Sequence, residues 1–298
     1  MDTTQEPRNE QARLWNGAGG EAWVERQAVL DQTFKPLEDL LLEALAAGPA
    51  DRVLDVGCGT GSTTLAIAKV IGAQGNDERG HCTGIDISAP MIEAAQARAA
   101  RAGLPARFIL ADAQRHGFAP AGFDAIVSRI GVMFFDDPVQ AFANLRQAAR
   151  DNAALHFVAW RQAEENPFMT TAERAAAPLL PDLPARRPEG PGQFAFAEEA
   201  HVRGILRDSG WAKIEIRPVD LACSLPETEL AGLFTRLGPL GQVLHEADEG
   251  TRRKVIERVR AAFEPFVQGT EVRYTAACWL VGAKAPAPSA RPKGAGDA

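Results

Sequence analysis

A short apolar segment that runs straight into alternating glycines constrains this chain more than any other feature: Val53-Leu54-Asp55-Val56-Gly57-Cys58-Gly59-Thr60-Gly61. Its β-branched residues predict a strand buried on both faces, as in a parallel sheet. Glycine has no Cβ, so the three glycines permit positive φ and close approach of a ligand to the backbone. Ser62 to Lys69 then continues as a helix. Strand, tight turn and helix make half of a βαβ unit, and ligands of such sheets lie at the carboxyl ends of the strands. The turn is therefore expected to floor a crevice for a nucleotide-like molecule.

The glycine spacing narrows the ligand. A dinucleotide turn requires a third glycine at position 62, where this chain has Ser62, so NAD fits poorly. A second strand, His81 to Asp86, ends in a carboxylate beside the glycine strand, where it can accept hydrogen bonds from both hydroxyls of a ribose. As an alternative, the same acid serves the entry of the next helix, whose N-cap is Ser88 and whose first turn holds Pro90. The third strand, Ala106 to Leu110, runs into Ala111-Asp112-Ala113. A fourth covers Phe123 to Ser128, and a fifth, Ala154 to Trp160, follows a helix from Val139 to Arg150. Strands that alternate with helices in this way predict an α/β fold with a parallel sheet and right-handed crossovers.

Asp55 ahead of Gly57, Gly59 and Gly61, the string Gly84-Ile85-Asp86-Ile87-Ser88, Ala111-Asp112-Ala113, and Arg129 to Pro138 occur in one order. Together they resemble class I methyltransferases that use S-adenosylmethionine (SAM), and among them the small-molecule group of the ubiquinone and menaquinone C-methyltransferase type. The resemblance covers residues 48–160. It implies a doubly wound, seven-stranded, mostly parallel Rossmann-like sheet, with S-adenosylhomocysteine as the product left behind. It further implies that Asp55, Gly57, Cys58, Gly59 and Gly61 take the methionine part, and that Asp86 holds the ribose. Ile87 and Met91 would flank the adenine, Asp112 and Ala113 would bind its edge, and Ser128 and Arg129 would border the site. Plain alternatives remain: core packing for Ile87 and Met91, a turn for Asp112, and a surface ion pair for Arg129.

Other classes are disfavoured. The chain lacks the Asn/Asp-Pro-Pro-aromatic turn of base-modifying enzymes after its fourth strand, and a net charge of −7 offers no broad footprint for phosphate backbones. No nucleic-acid partner is expected. The cysteines, Cys58, Cys82, Cys223 and Cys278, are scattered without a CxxC pair, so neither a metal site nor a disulfide framework is indicated. The first ten residues lack an apolar leader, and no apolar run reaches the roughly 18 residues of a membrane span. A cytoplasmic location follows as the default expectation.

Residues 1–10 and 283–298 are expected to be disordered, with an N-terminal helical cap of two helices over 11–47 and the SAM-binding core over 48–160. Residues 161–282 would hold the remaining strands, Lys213 to Arg217 and Tyr274 to Val281, with a lid and a helical insertion. The lid stretch, 166–192, carries six prolines, and the insertion follows Glu227 with Leu230, Leu233, Phe234, Leu237 and Leu240 as an apolar stripe. Residues 72–80 form a long polar connection, expected as a surface insertion. Substrate contacts are expected from Trp15, Trp23, Phe134, Phe196 and Phe234, and secondarily from Leu240, Leu244 and Phe266.

Methyl transfer from a sulfonium needs alignment more than acid–base groups, so no triad is expected. If a base is used, His116 is the candidate, since it follows Asp112 on the ligand side. His156 lies within a strand, and His201 and His245 fall on exposed helix faces. The expected activity is C- or O-methylation of a small apolar or aromatic metabolite. The alternatives are an NAD(P)-dependent oxidoreductase and a SAM-binding sensor or assembly protein without catalysis. A second copy of the chain is kept open as a partner.

Overall fold

The computed structural model describes residues 6–48, 50–73, 81–184, 190–244 and 246–287. Most of the 72–80 connection, His245 and the tail beyond 287 therefore lie outside the described residues.

Four short helices open the chain: α1 (Glu6–Asn16), α2 (Ala18–Glu25), α3 (Gln27–Thr33) and α4 (Lys35–Ala46). Two were expected; the chain instead breaks at Gly17, Arg26 and Phe34, the last of which turns into the core while Pro36 starts α4. The helix α1 also begins within the stretch expected to be disordered, and it is anchored by Asn16, whose side chain bonds Ile87 O at 3.0 Å and Ala89 N at 2.8 Å.

The core alternates as follows: β1 (Arg52–Val56), α5 (Ser62–Ala73), β2 (His81–Asp86), α6 (Ala89–Ala102), β3 (Ala106–Leu110), β4 (Phe123–Arg129), α7 (Pro138–Ala148) and β5 (Ala149–Trp160). Then come α8 (Pro167–Ala176), α9 (Glu199–Asp208), β6 (Ala212–Pro226), α10 (Glu227–Arg236), α11 (Gly238–Leu244), α12 (Glu249–Ala262), β7 (Val267–Gln268) and β8 (Glu271–Lys284). The sheet runs β3-β2-β1-β4-β5-β8-β6, with the two-residue β7 paired to β8. The first five strands are parallel, and β8 is antiparallel to both β5 and β6. This is a mostly parallel Rossmann-like sheet whose order reverses between β1 and β4, the place where a crevice opens.

Both faces of the inner parallel strands β1, β2 and β4 are covered, which is why they read as continuous apolar runs, whereas the edge strand β3 is partly exposed. Val53, Cys82, Ala125 and Val127 pack under Ile67 and Ile71 of α5, while Leu54, Val56 and Ile126 face the larger core.

Two boundaries differ from expectation for a physical reason. The strand β6 is much longer than Lys213–Arg217: as an edge strand it tolerates Pro218, and its apolar alternation slips by one position at Arg217-Pro218 before resuming with Val219, Leu221, Cys223 and Leu225. At the other end β8 runs past the expected disorder boundary to Lys284, and Ala285 is buried and donates its N–H to Ala153 O at 3.0 Å.

The β6–β8 ribbon outruns its neighbours. Trp160, the end of β5, pairs with Cys278, yet the ribbon continues to the pair Pro226–Glu271. At about 3.4 Å per residue it overhangs the carboxyl edge of the sheet by roughly 20 Å.

Candidate functional site

A cavity of about 360 Å³ opens at the carboxyl ends of β1, β2, β3 and β4. On one side lie Gly57, Cys58 and Gly59 of the turn after β1, with Asp55, Asp86, Asp112 and Arg129. The far side is apolar, built from the N-terminal helices, α8, α10, α11 and the overhanging ribbon.

The turn is shaped by a contact between two glycines. Gly57 has φ of +66°, and a Cβ there would stand 2.8 Å from Gly131 Cα. A Cβ on Gly131 would in turn meet Val56 O at 2.8 Å and Gly57 Cα at 2.9 Å. The turns after β1 and β4 can thus touch only through bare backbone. Next to Gly131, Ile130 holds φ of 54°, a costly geometry for a β-branched residue, in the wall of the cavity. Gly61 does not line the cavity; its N–H donates to Cys58 O at 2.9 Å and closes the turn into α5.

Three acids converge here. The carboxylate of Asp86 accepts from Gly59 N at 2.8 Å and from Ser88 N at 2.9 Å. Burial raises its pKa, and these backbone donors oppose the rise. Each carboxylate oxygen keeps a lone pair for a ligand hydroxyl. Asp55 is buried and accepts from Thr64 Oγ1 at 2.6 Å, and burial lifts its pKa to about 6. Asp112 lines the cavity while its Oδ1 accepts from Gln114 N at 2.9 Å, so turn and site coexist in one residue. Ala113 lies beside it, with its carbonyl accepting from Asn144 Nδ2 at 2.9 Å. Ile87 and Met91 line the same side.

Arg129 stands inside the cavity wall rather than in a surface ion pair. Burial lowers its pKa, against the opposing charges of Glu38, Asp31 and Asp55. Its Nη1 is buried without a hydrogen-bond partner among the described residues, as is Oγ1 of Thr63, another lining residue. Sequence reasoning passed over Thr63, a polar residue at the start of α5 beside the glycines. Ser128 serves the frame instead: its hydroxyl donates to Val56 O at 2.7 Å and accepts from Gly131 N at 3.2 Å.

An aromatic chain lines the entrance. Trp15 meets Phe134 edge-on at 5.1 Å and Trp23 at 6.2 Å, and Trp23 stacks on Phe34 at 6.2 Å. Phe234 and Leu240 line the far wall. The C-terminal end of α2 is joined to α10 by Arg26–Glu229 at 3.0 Å and Arg236–Glu25 at 3.3 Å.

Several expected residues lie elsewhere. His116 does not line the cavity: its N–H donates to Asp112 O at 2.8 Å and its ring turns onto Phe118, 4.7 Å away. Phe196 is core, set against Phe142 at 6.2 Å and Phe157 at 6.0 Å, although Gln193, three residues before it, lines the cavity. Leu244 is buried away from the lining, and Phe266 packs edge-on against Phe168 at 5.4 Å. His156 is partly buried in β5, which lowers its pKa, and His201 is exposed on α9. The sequence reading missed Trp160, Phe168 and Tyr274, all of which line the cavity.

Among the described residues, no helix is long and apolar enough to cross a membrane, and no group of three or more His, Cys, Asp or Glu side chains is placed to hold a metal ion.

Residues 53–152 match the family model described as "Methyltransferase domain". An uncharacterized protein of Mycobacterium tuberculosis is 31% identical over 182 residues, and the match spans 60% of this chain and 60% of that protein's length. Aklanonic acid methyltransferase DauC of Streptomyces sp. strain C5 is 35% identical over 112 residues, or 37% of this chain and 48% of that protein. Among solved structures, a putative methyltransferase from Bacillus halodurans superimposes with a TM-score of 0.55 at 13% identity, covering 84% of this chain and 99% of the other. At that identity the likeness concerns the fold.

Proposed function

We propose that this protein, whose residues 53–152 match the methyltransferase-domain family model and whose mostly parallel sheet is Rossmann-like, is a class I SAM-dependent methyltransferase that methylates carbon or oxygen of a small apolar or aromatic metabolite. One observation carries the reading: a single cavity has the glycine turn and its acids on one side and an apolar wall on the other.

The residues present fit the donor. Asp86 keeps free lone pairs for a ribose diol, and Asp112 with the amide side of Ala113 faces the place of an adenine edge between Ile87 and Met91. The unpartnered Nη1 of Arg129 and Oγ1 of Thr63 suit a carboxylate at the methionine end. The bare backbone of Gly57 and Gly59 leaves room for that chain. Bound there, SAM supplies a methyl group already activated on a sulfonium.

What remains for the chain is positioning. Trp15, Trp23 and Phe134 close the entrance and keep water out, and the far wall holds the acceptor in line with the methyl group. Such alignment is worth roughly 7 to 11 kcal/mol. Among the described residues no imidazole lines the cavity, and the reading calls on no histidine base. The acceptor is taken to be a free metabolite rather than a nucleic acid, since the far wall of the cavity is apolar and the chain is acidic.

Calorimetric titration with SAM, S-adenosylhomocysteine and NAD tests the donor; binding of NAD alone would overturn the proposal. Labelled SAM incubated with a metabolite extract then tests transfer. Label should enter an extractable small molecule with the wild type and not with Asp86→Ala; tight SAM binding without any transfer would favour a sensor.

A further inference from the structure

The apolar wall carries one polar group for which donor binding has no use. Tyr274, the sole tyrosine of the chain, sits on the overhanging part of β8 opposite Cys223 of β6. It lines the cavity, is 7% exposed, and its ring stacks on Phe168 at 3.9 Å with the planes 2° apart. Its hydroxyl is buried without a hydrogen-bond partner of good geometry among the described residues; the thiol of Cys223 stands within reach of it, but sulfur is a weak acceptor that leaves the hydroxyl under-satisfied. Buried hydroxyls in native folds are nearly always satisfied, so this one points to a group that arrives with a ligand.

The chemistry of that ligand can be narrowed. The same wall presents Phe168, Phe234, Phe263 and Leu240, flat or branched surfaces that suit a ring system. Its charged member is the carboxylate of Glu173, and the cavity's guanidinium, Arg129, belongs to the turn after β4 on the donor side. An anion would find no cation on this wall. Burial pushes the Tyr274 phenol well above its ordinary range, so at neutral pH it keeps its proton and donates.

We propose that this wall is the acceptor subsite and that it takes an uncharged, ring-bearing molecule whose carbonyl or hydroxyl oxygen accepts a hydrogen bond from Tyr274. The proposal rests on the methyl-transfer reading and gives it a substrate class. Tyr274 sets specificity by leaving its hydroxyl unpaired when the oxygen is missing.

The test uses the full chain labelled with ¹³Cζ-tyrosine, which yields one resonance, saturated with S-adenosylhomocysteine. The probes are 1-tetralone, its oxygen-free counterpart tetralin, and 1-naphthoate. The expected result is that 1-tetralone binds about tenfold more tightly than tetralin, a difference of about 1.4 kcal/mol, and shifts the resonance, while 1-naphthoate binds more weakly than 1-tetralone. Tyr274→Phe should bind tetralone and tetralin alike, with S-adenosylhomocysteine affinity as the control for folding. Equal binding of tetralone and tetralin to the wild type, an unmoved resonance, preference for the naphthoate, or no probe binding to the S-adenosylhomocysteine complex would each overturn the subsite. Failure to bind S-adenosylhomocysteine would instead overturn the methyl-transfer reading.

Discussion

The carboxylate of Asp86 and the backbone amide of Gly59 stand 2.8 Å apart, so the acid that ends β2 also holds the glycine turn after β1 in place. Ligand recognition and turn geometry therefore depend on one side chain. Asp86→Ala should weaken S-adenosylhomocysteine binding by about 10- to 100-fold, the loss expected for charge-assisted hydrogen bonds. Asp86→Asn, which can still accept from Gly59, should lose less. Calorimetry on both variants checks the order, and equal losses would separate the turn contact from ligand binding.

Gly57→Ala should destabilise the fold by at least about 2 kcal/mol, since it combines a left-handed φ with a clash against Gly131. Gly131→Ala meets the same backbone from the other side. Because both remove one close approach, the double variant should cost less than the sum of the singles. Thermal melts of the three variants report this directly.

Asp55 gives the protein a distinct acid profile. Its folded pKa, about 6, lies above the ordinary 3.8, so its contribution to stability is fully present below pH 3.8 and is lost as pH rises through about 6. The difference amounts to about 3 kcal/mol. Asp55→Asn, which can still accept from Thr64, should therefore be more stable than the wild type at pH 7 and lose the advantage near pH 4. Denaturant titrations across that window test the sign. Removing the charge of Arg129, which lowers the Asp55 pKa, should move the transition upward.

Arg26 and Glu229 bind the N-terminal helices to α10, which both contribute to the lining of the cavity, at 3.0 Å. Both are partly exposed, so a double-mutant cycle with Arg26→Gln and Glu229→Gln should return a coupling of about 0.5 to 1 kcal/mol that shrinks with salt. Stopped-flow release of S-adenosylhomocysteine should quicken by about two- to fivefold in either single variant. Unchanged release would mean that the pair does not hold the entrance closed.

His116→Ala should leave methyl transfer within about twofold of wild type, because the ring faces Phe118 and not the cavity. A pH–rate profile of the variant that lost a limb near neutrality would show otherwise.

The donor half was legible because its signals are local. Gly57 and Asp86 sit at the ends of short buried strands and Asp112 just past the edge strand β3, where residue type and position on the strand suffice to place them at the crevice. The acceptor half was not, because its residues meet only through tertiary packing. Phe168, Phe234 and Tyr274 lie on α8, α10 and β8 and carry no shared spacing, and Phe196 has the composition of a lid residue yet packs against Phe142 and Phe157. Edge strand β6 reads short in the sequence because a proline stands where its alternation slips, at Arg217-Pro218, and hides that the alternation resumes from Val219 to Leu225.

The strand order β5-β8-β6 has a consequence for biosynthesis. The last of the described strands to leave the ribosome is the one that must slide between two already made, and until it arrives β5 offers an open edge rich in Leu155, Phe157 and Val158 while β6 waits unpaired. Such an edge invites pairing with another nascent chain. A premature stop between β5 and β8 would thus yield a polypeptide that contains every donor-side residue and still aggregates.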